Sequence, residues 1–468
     1  MRGGVRQTPL VGAAVPAYSV SFRDSRLYPH GVREDLARGM VAGVGSEGRR
    51  YVRNDFDALN IYYRPICNAT WNAEKRCWDS IVFREESSFT WKPTEPNREV
   101  VYRCAPFYYK LDMQGESAPS WVSVSPYPLP GYTLAPMFKN AIDYVYRPAF
   151  EVAIDPVDGL PHSRAGLPTF GASGPNVIAT LRQYDAAARP EGFAEHFSDL
   201  LLLWVEFATR DLPSVMSGAR FCNRTVQATY LGLDALGNSL LYVDSANARY
   251  FSRNMEILVK RGTVITNCIA ISAADRQADG SLHLTLSGAL VADGLAEGDS
   301  LTLTTLFWHT GTVLPYLSAT SGVCGDLHDE NKTCAWRGKE NAWGNRPKLL
   351  WDLRLHTTQM YYLPNYADWS ASMTDVWQGL GTAAASQAGF VKSFAFSESF
   401  PHVMLPSETT TDRAALSCFG AYLSRPARGG GFYVTVGSGA DSDGLHNPAS
   451  LRTLTSAAAY IGARLICE

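Results

Sequence analysis

No run of five like charges occurs in the chain, and 42 Lys and Arg against 45 Asp and Glu leave a net charge of −3. That excludes the basic footprint a nucleic-acid backbone requires. No stretch approaches the roughly 20 apolar residues of a membrane-spanning helix. The opening M-R-G-G-V-R-Q-T-P-L-V-G-A-A-V-P-A-Y interrupts its apolar run with glycine and proline, a poor core for a signal peptide. Export by the ordinary secretory route is therefore not expected, and neither is membrane insertion. The nine cysteines are odd in number and scattered, with no C-x-x-C pair, so metal and redox motifs are both unsupported. Reduced, buried thiols are the expectation, with Cys324 and Cys334, or Cys418 and Cys467, the pairs to form in an oxidising exterior.

What the chain has in quantity is apolar and aromatic residues, 46% and 12% of 468 positions, enough for two or three cores. Residues 1–50 are polar, contain Gly and Pro and show no period, and they read as an arm or attachment segment. Across 51–168, runs such as D-S-I-V-F, E-V-V-Y-R-C and S-W-V-S-V-S, broken by Pro and Gly, predict a β-rich domain. The texture then changes over 169–222. S-G-P-N-V-I-A-T-L-R-Q-Y predicts a helix capped at Ser173, with Val177, Leu181 and Tyr184 at helical spacing. Phe193 to Asp211 is apolar around its circumference and stops before Pro213, as a buried helix would. Over 223–314 the period switches to two, in L-L-Y-V-D, M-E-I-L-V-K and L-H-L-T-L-S among others, with Asp279-Gly280 marking a hairpin. That region is expected to be a small all-β barrel or sandwich.

The stretch 416–468 mixes two kinds of residue. Phe419, Phe432, Ile461 and Leu465, with neighbouring glycines, suit short buried strands and tight turns. Between them lie Tyr422, Ser424, Arg425, Arg428, Tyr433, Thr435, Arg452, Thr455, Ser456 and Tyr460, side-chain types of adaptable protein and sugar contact surfaces. The run F-G-A-Y-L-S-R-P-A-R-G-G-G-F-Y and the closing I-G-A-R-L resemble the variable region of proteins diversified by diversity-generating retroelements in phages and gut bacteria. W-V-E-F-A-T-R, W-R-G-K-E-N-A-W-G-N from Trp336, and H-V-M-L-P-S-E from His402 continue the resemblance, and F-Y-Y-K at Phe107 extends it loosely toward the start. The resemblance implies an α+β architecture: a C-type-lectin-like, formylglycine-generating-enzyme-like domain in 169–222 and 315–468, interrupted by the all-β insertion. It also implies a non-enzymatic adhesin on a phage virion surface, synthesised in the host cytoplasm and displaying the ten polar and aromatic residues as its ligand-binding set. Partners would be a host cell-surface protein or glycan, other virion proteins through the N-terminal region, and further copies of the chain, as in a trimer. No cofactor is expected.

Two rivals follow from the same stretch. One is a structural tail or capsid component whose terminal surface is covered by a neighbour. The other is an oxidoreductase like the formylglycine-generating enzyme, which would need Cys418 and Cys467 brought together and copper. A sulfoxide-synthase reading would need three facial iron ligands, and His309, His328, His356, His402 and His446 are isolated. G-D-L-H-D-E-N-K, with Asp326, Asp329 and Glu330, lacks the spacing of a calcium loop. Asn68, Asn223 and Asn331 match the glycosylation pattern, a chance match without a signal peptide. R-G-G-G at Arg428 has no strand, Lys-Ser/Thr or helix around it to make a phosphate cradle.

Overall fold

The computed structural model describes residues 16–22, 30–43, 53–112, 120–138, 143–210, 215, 224–290, 294–314, 323–324, 335–342, 345–346, 348–356, 359–369, 375–383, 389–410, 422–423, 431–436, 450–453 and 463–467. The expected α+β class is corrected: the chain is mainly β. Among the described residues there are two α-helices, α1 (Gly174–Tyr184) and α2 (Phe193–Phe207), against six open sheets and a closed barrel. These two stretches carry apolar residues at helical spacing over 11 and 15 residues. Elsewhere Pro and Gly divide most of the chain into shorter runs that pair as strands.

Five antiparallel strands form the first sheet, in the order β2 (Gly31–Asp35), β1 (Tyr18–Phe22), β7 (Trp121–Ser125), β6 (Tyr108–Asp112), β8 (Thr133–Leu134). The second sheet runs β4 (Cys77–Phe83), β3 (Ile66–Asn72), β5 (Arg98–Cys104), β9 (Val145–Pro148). A small hairpin, β10 (Ala153–Ile154) with β11 (Pro161–His162), leads into α1.

Period-two alternation closes the barrel. Its strands are β12 (Thr225–Leu233), β13 (Ser239–Val243), β14 (Met255–Arg261), β15 (Val264–Arg276), β16 (Leu282–Leu286) and β17 (Ser300–Trp308), joined in the order β12-β13-β16-β15-β14-β17. Leu241, Val243, Ile257, Val259, Leu284 and Leu303 alternate inward and are fully buried, as a small barrel filled by side chains requires. Outward positions are polar: Thr225 and Thr304 hydroxyls meet at 3.1 Å, and Gln227 donates to Thr302 at 3.1 Å. Asp279 accepts from the Ser281 amide at 2.9 Å and Gly280 takes φ +84°, which makes the turn between β15 and β16. The first and last strands are neighbours, Thr225 opposite Thr304, so the chain enters and leaves the barrel side by side.

Beyond the barrel come β18 (Val323–Cys324), β19 (Ala335–Trp336) and β20 (Lys339–Glu340) in one small sheet. A five-stranded sheet follows in the order β23 (Gln378–Ala383), β22 (Gln359–Tyr362), β21 (Lys348–His356), β27 (Gly431–Val436), β28 (Ser450–Thr453). A three-stranded sheet holds β25 (Met404–Thr410), β24 (Gly389–Phe396) and β26 (Tyr422–Leu423). The helices do not form a layer of a separate domain. Instead α2 lies in one apolar core with Val20 and Val122 of the first sheet, Val100 of the second, Trp336, Leu353 of β21 and Phe394 of β24. No helix among the described residues is long and apolar enough to cross a membrane.

Candidate binding surface

The terminal stretch is built onto β21. Every described side chain from Leu349 to Arg354 is buried, so β21 is a central strand with both faces covered. β27 pairs antiparallel with it, Leu350 opposite Val434 and Arg354 opposite Tyr433, and β28 pairs with the far side of β27 to form the sheet edge. Tyr433 stands opposite Arg452 and Thr435 opposite Ser450.

Of the ten residues expected to form the surface, Tyr433, Thr435 and Arg452 are thus brought together on one ribbon. Tyr422 is not with them: it pairs with Phe390 in the sheet of β24 and β25. Ser424, Arg425, Arg428, Thr455, Ser456 and Tyr460 lie outside the described residues, as do Phe419 and Ile461. Leu465 is buried, with Ala463 and Cys467.

The I-G-A-R-L motif carries the chain back into the core. Arg464 is 1% exposed and donates to the carbonyls of Glu340, Ala149 (3.2 Å) and Asn341 (3.2 Å). The Val152 amide donates to the Ala463 carbonyl at 2.9 Å, and Arg189 and Ile466 exchange backbone bonds of 2.9 and 2.8 Å.

Around α2 lies a network of buried charge that sequence reasoning missed. Glu195, Asp199 and Glu206 stand at i, i+4 and i+11 on α2, within about 40° of one another around its axis. Glu206 and Asp199 face the segment from Trp336, while Glu195 pairs with Arg189 and Arg147. Glu206 accepts from Arg337 Nη2 (2.6 Å) and Nε (3.0 Å), from Trp336 Nε1 (2.9 Å) and from Asn54 Nδ2 (2.8 Å). Asp199 accepts from Arg64 at 2.7 Å and from Lys339 at 2.9 Å, and Lys339 also reaches Glu191 at 2.6 Å. Burial alone would raise the Asp199 carboxyl; Lys339 and Arg64 override it and hold it well below the usual carboxylate range. Gly338 turns the chain between the two cations at φ +84°, and a Cβ there would stand 2.9 Å from Tyr102 Cβ. Asp352 of β21 accepts the Phe193 amide at the start of α2 on both oxygens, at 2.8 and 2.7 Å. Its carboxyl is pushed up to about 7 by burial and by Glu195. The signal was present in the sequence as carboxylates spaced along an otherwise apolar helix, since buried charges need partners.

The other chemical candidates resolve into structure. Asp155, Asp158 and His162 bring three potential metal-ligand atoms within 4.8 Å of one another, the one such group among the described residues. Both ring nitrogens of His162 face carboxylates, Nδ1 to Glu99 at 2.6 Å and Nε2 to Asp158 at 2.9 Å, while Arg164 holds Asp155 at 2.9 Å. Burial would lower the imidazole; the two carboxylates outweigh it and raise its pKa. The group is a closed ion-pair cluster around a buried imidazolium. Burial pushes the His402 ring down to about 4. Cys67, Cys104 and Cys467 are buried, whereas Cys77 and Cys268 are exposed. The pairing of Cys418 with Cys467 falls outside the described residues, as do Asp326, Asp329, Glu330, Asn223, Asn331 and the glycines after Arg428. Asn68 is fully buried and donates to Thr90 O at 2.8 Å, so no glycan can be attached there in the fold.

No protein-family model matches this chain, and no curated protein matches it significantly.

Proposed function

We propose that this chain is a non-enzymatic binding protein of the phage-adhesin kind, carried on a virion surface, which presents its terminal stretch to a host cell-surface protein or glycan. The observation that carries the reading is the placement of the terminal stretch. β27 and β28 form the edge of a sheet whose central strand is buried on both faces, and the chain after them is tied into the core at Ala463–Cys467. A rigid support with a changeable edge separates contact energy from folding energy, because substitutions at exposed positions far from the core act independently of it. Several copies on one particle turn weak single contacts into avidity. The N-terminal region is the proposed attachment to other virion proteins.

The test uses the full chain with Tyr422, Ser424, Arg425, Arg428, Tyr433, Thr435, Arg452, Thr455, Ser456 and Tyr460 replaced together by alanine. Fluorescent wild type and variant are titrated onto a panel of gut bacterial strains, beside thermal unfolding. Each surface change should cost about 0.5 kcal/mol of stability or less, while each Tyr or Arg anchor should cost more than ~1 kcal/mol of binding. Unchanged binding by a folded variant would refute the reading.

A further inference from the structure

The turn between β3 and β4, the end of α1 and the short 3-10 turn after β22 enclose an open cleft of about 590 Å³. That lies within the range of roughly 300–1,000 Å³ typical of small-ligand sites. Four alanines leave room in its wall, and Arg76, Arg182, Asp185, Arg189, Asn365 and Tyr366 supply its polar groups. None of these belongs to the terminal stretch. The cleft nevertheless flanks the same sheet, since Tyr366 packs edge-on against Trp351 of β21, with centroids 5.1 Å apart.

The polar groups differ in what they have left to offer. Arg189 is buried and occupied by Glu195 at 2.8 Å. Asp185, which also lines the cleft, accepts from Trp71 Nε1 at 3.1 Å and from the Ala187 amide at 2.7 Å, one bond to each oxygen, which fixes its carboxylate and leaves further acceptor capacity. Arg182 is exposed, has no carboxylate partner among the described residues, hydrogen-bonds the Tyr366 hydroxyl, and lies over the rings of Tyr366 (5.1 Å) and Trp369 (5.6 Å). Contact with the two rings positions the guanidinium, which has five N–H donors and so keeps others for a ligand. Arg76 adds positive charge on the opposite lip.

We propose that this cleft binds an acidic sugar of the uronic-acid class, its carboxylate on Arg182 and its hydroxyls donating to Asp185. A cation and a carboxylate lining one cleft select a ligand that carries one carboxylate together with hydroxyl donors. A phosphate, which carries more negative charge, would be repelled by Asp185, and a simple carboxylate would leave Asp185 without a donor. The site goes beyond the adhesin reading and does not depend on it, because its binding is measured on the isolated chain.

Ligand-observed NMR titrations of the full chain with glucuronate, galacturonate, glucose, inorganic phosphate and a Glu-containing tripeptide test it. A uronate should saturate the chain at least tenfold more tightly than glucose, phosphate or the peptide. Arg182→Ala should weaken uronate binding at least tenfold with melting unchanged, and Arg182→Gln, which keeps the stem of the side chain, should do the same if the alanine variant folds poorly. Uronate binding equal to wild type in a folded Arg182 variant would overturn the assignment, as would the absence of saturable uronate binding. Tighter binding of phosphate would make the cleft a simple anion site, and tighter binding of the peptide a peptide site; either result sinks the sugar assignment.

Discussion

The barrel and the body around α2 are both well packed, but they are specified differently. In the described barrel strands the buried polar residues are Ser239 and Thr305, and no charged residue is buried. In the body, Glu206 and Arg337 form an ion pair whose side chains are both 0% exposed, and Asp199, Arg64 and Lys339 form another cluster nearby. Alternation alone settles which face of a barrel strand turns inward, and any apolar residue of suitable size serves. A buried carboxylate accepts only a position that supplies a cation, so α2 and the segment from Trp336 have a single docking register. The barrel is thus tolerant in detail, and the body exacting.

Glu206→Gln should expose this contrast most sharply. It leaves the buried Arg337 with only the partly exposed Asp57, 3.2 Å away, as counter-charge, for an expected loss of ~3 kcal/mol in urea unfolding, while joint replacement of Glu206 and Arg337 by apolar residues should recover much of that loss. A loss under about 1 kcal/mol in the single variant would mean the pair is reached by water and the contrast fails. Leu284→Ala in the barrel should cost about 2–5 kcal/mol through the cavity it leaves, whereas Leu284→Met should cost less than ~1.5 kcal/mol; equal losses would show the barrel to be as exacting as the body.

The third test is pH dependence. The Asp352 carboxyl, raised by burial and Glu195 to about 7, takes up a proton on folding. Its effect is most favourable below the usual carboxylate pKa and is lost as pH rises toward 7. The raised imidazolium of His162 acts in the same direction, stabilising below its unfolded pKa and losing that as pH rises through the folded value. Asp352→Asn keeps an acceptor for the Phe193 amide and removes one titration, so its melting temperature should fall less than wild type's between pH 5 and 7. Parallel curves would show that Asp352 does not titrate in that window.

What was legible in the sequence was local. The spacing of Val177, Leu181 and Tyr184, the apolar run from Phe193, the alternation in the barrel strands and the Asp279-Gly280 turn all express backbone periods within a dozen residues. The class was misjudged because the number of sheets and their sharing of one core depend on pairings far apart in the chain. Nothing within Gly431–Val436 says that it inserts between β21 and β28, and nothing near Val20 says that it packs with Phe394. The acidic stripe on α2 lay in plain view but was overlooked in a helix read for its apolar surface. The cleft draws on three segments as distant as Arg76 and Tyr366, so no window of sequence contains it.

The two-ended attachment of the terminal stretch has a mechanical meaning. Tension delivered to β27 and β28 spreads sideways through the ladder into β21, and tension carried onward along the chain meets the Val152–Ala463 and Arg189–Ile466 bonds. A pull from outside is therefore divided between two anchorages in the same core, and the stretch cannot peel away from one free end. Detachment under load would then be governed by the rate at which that core opens.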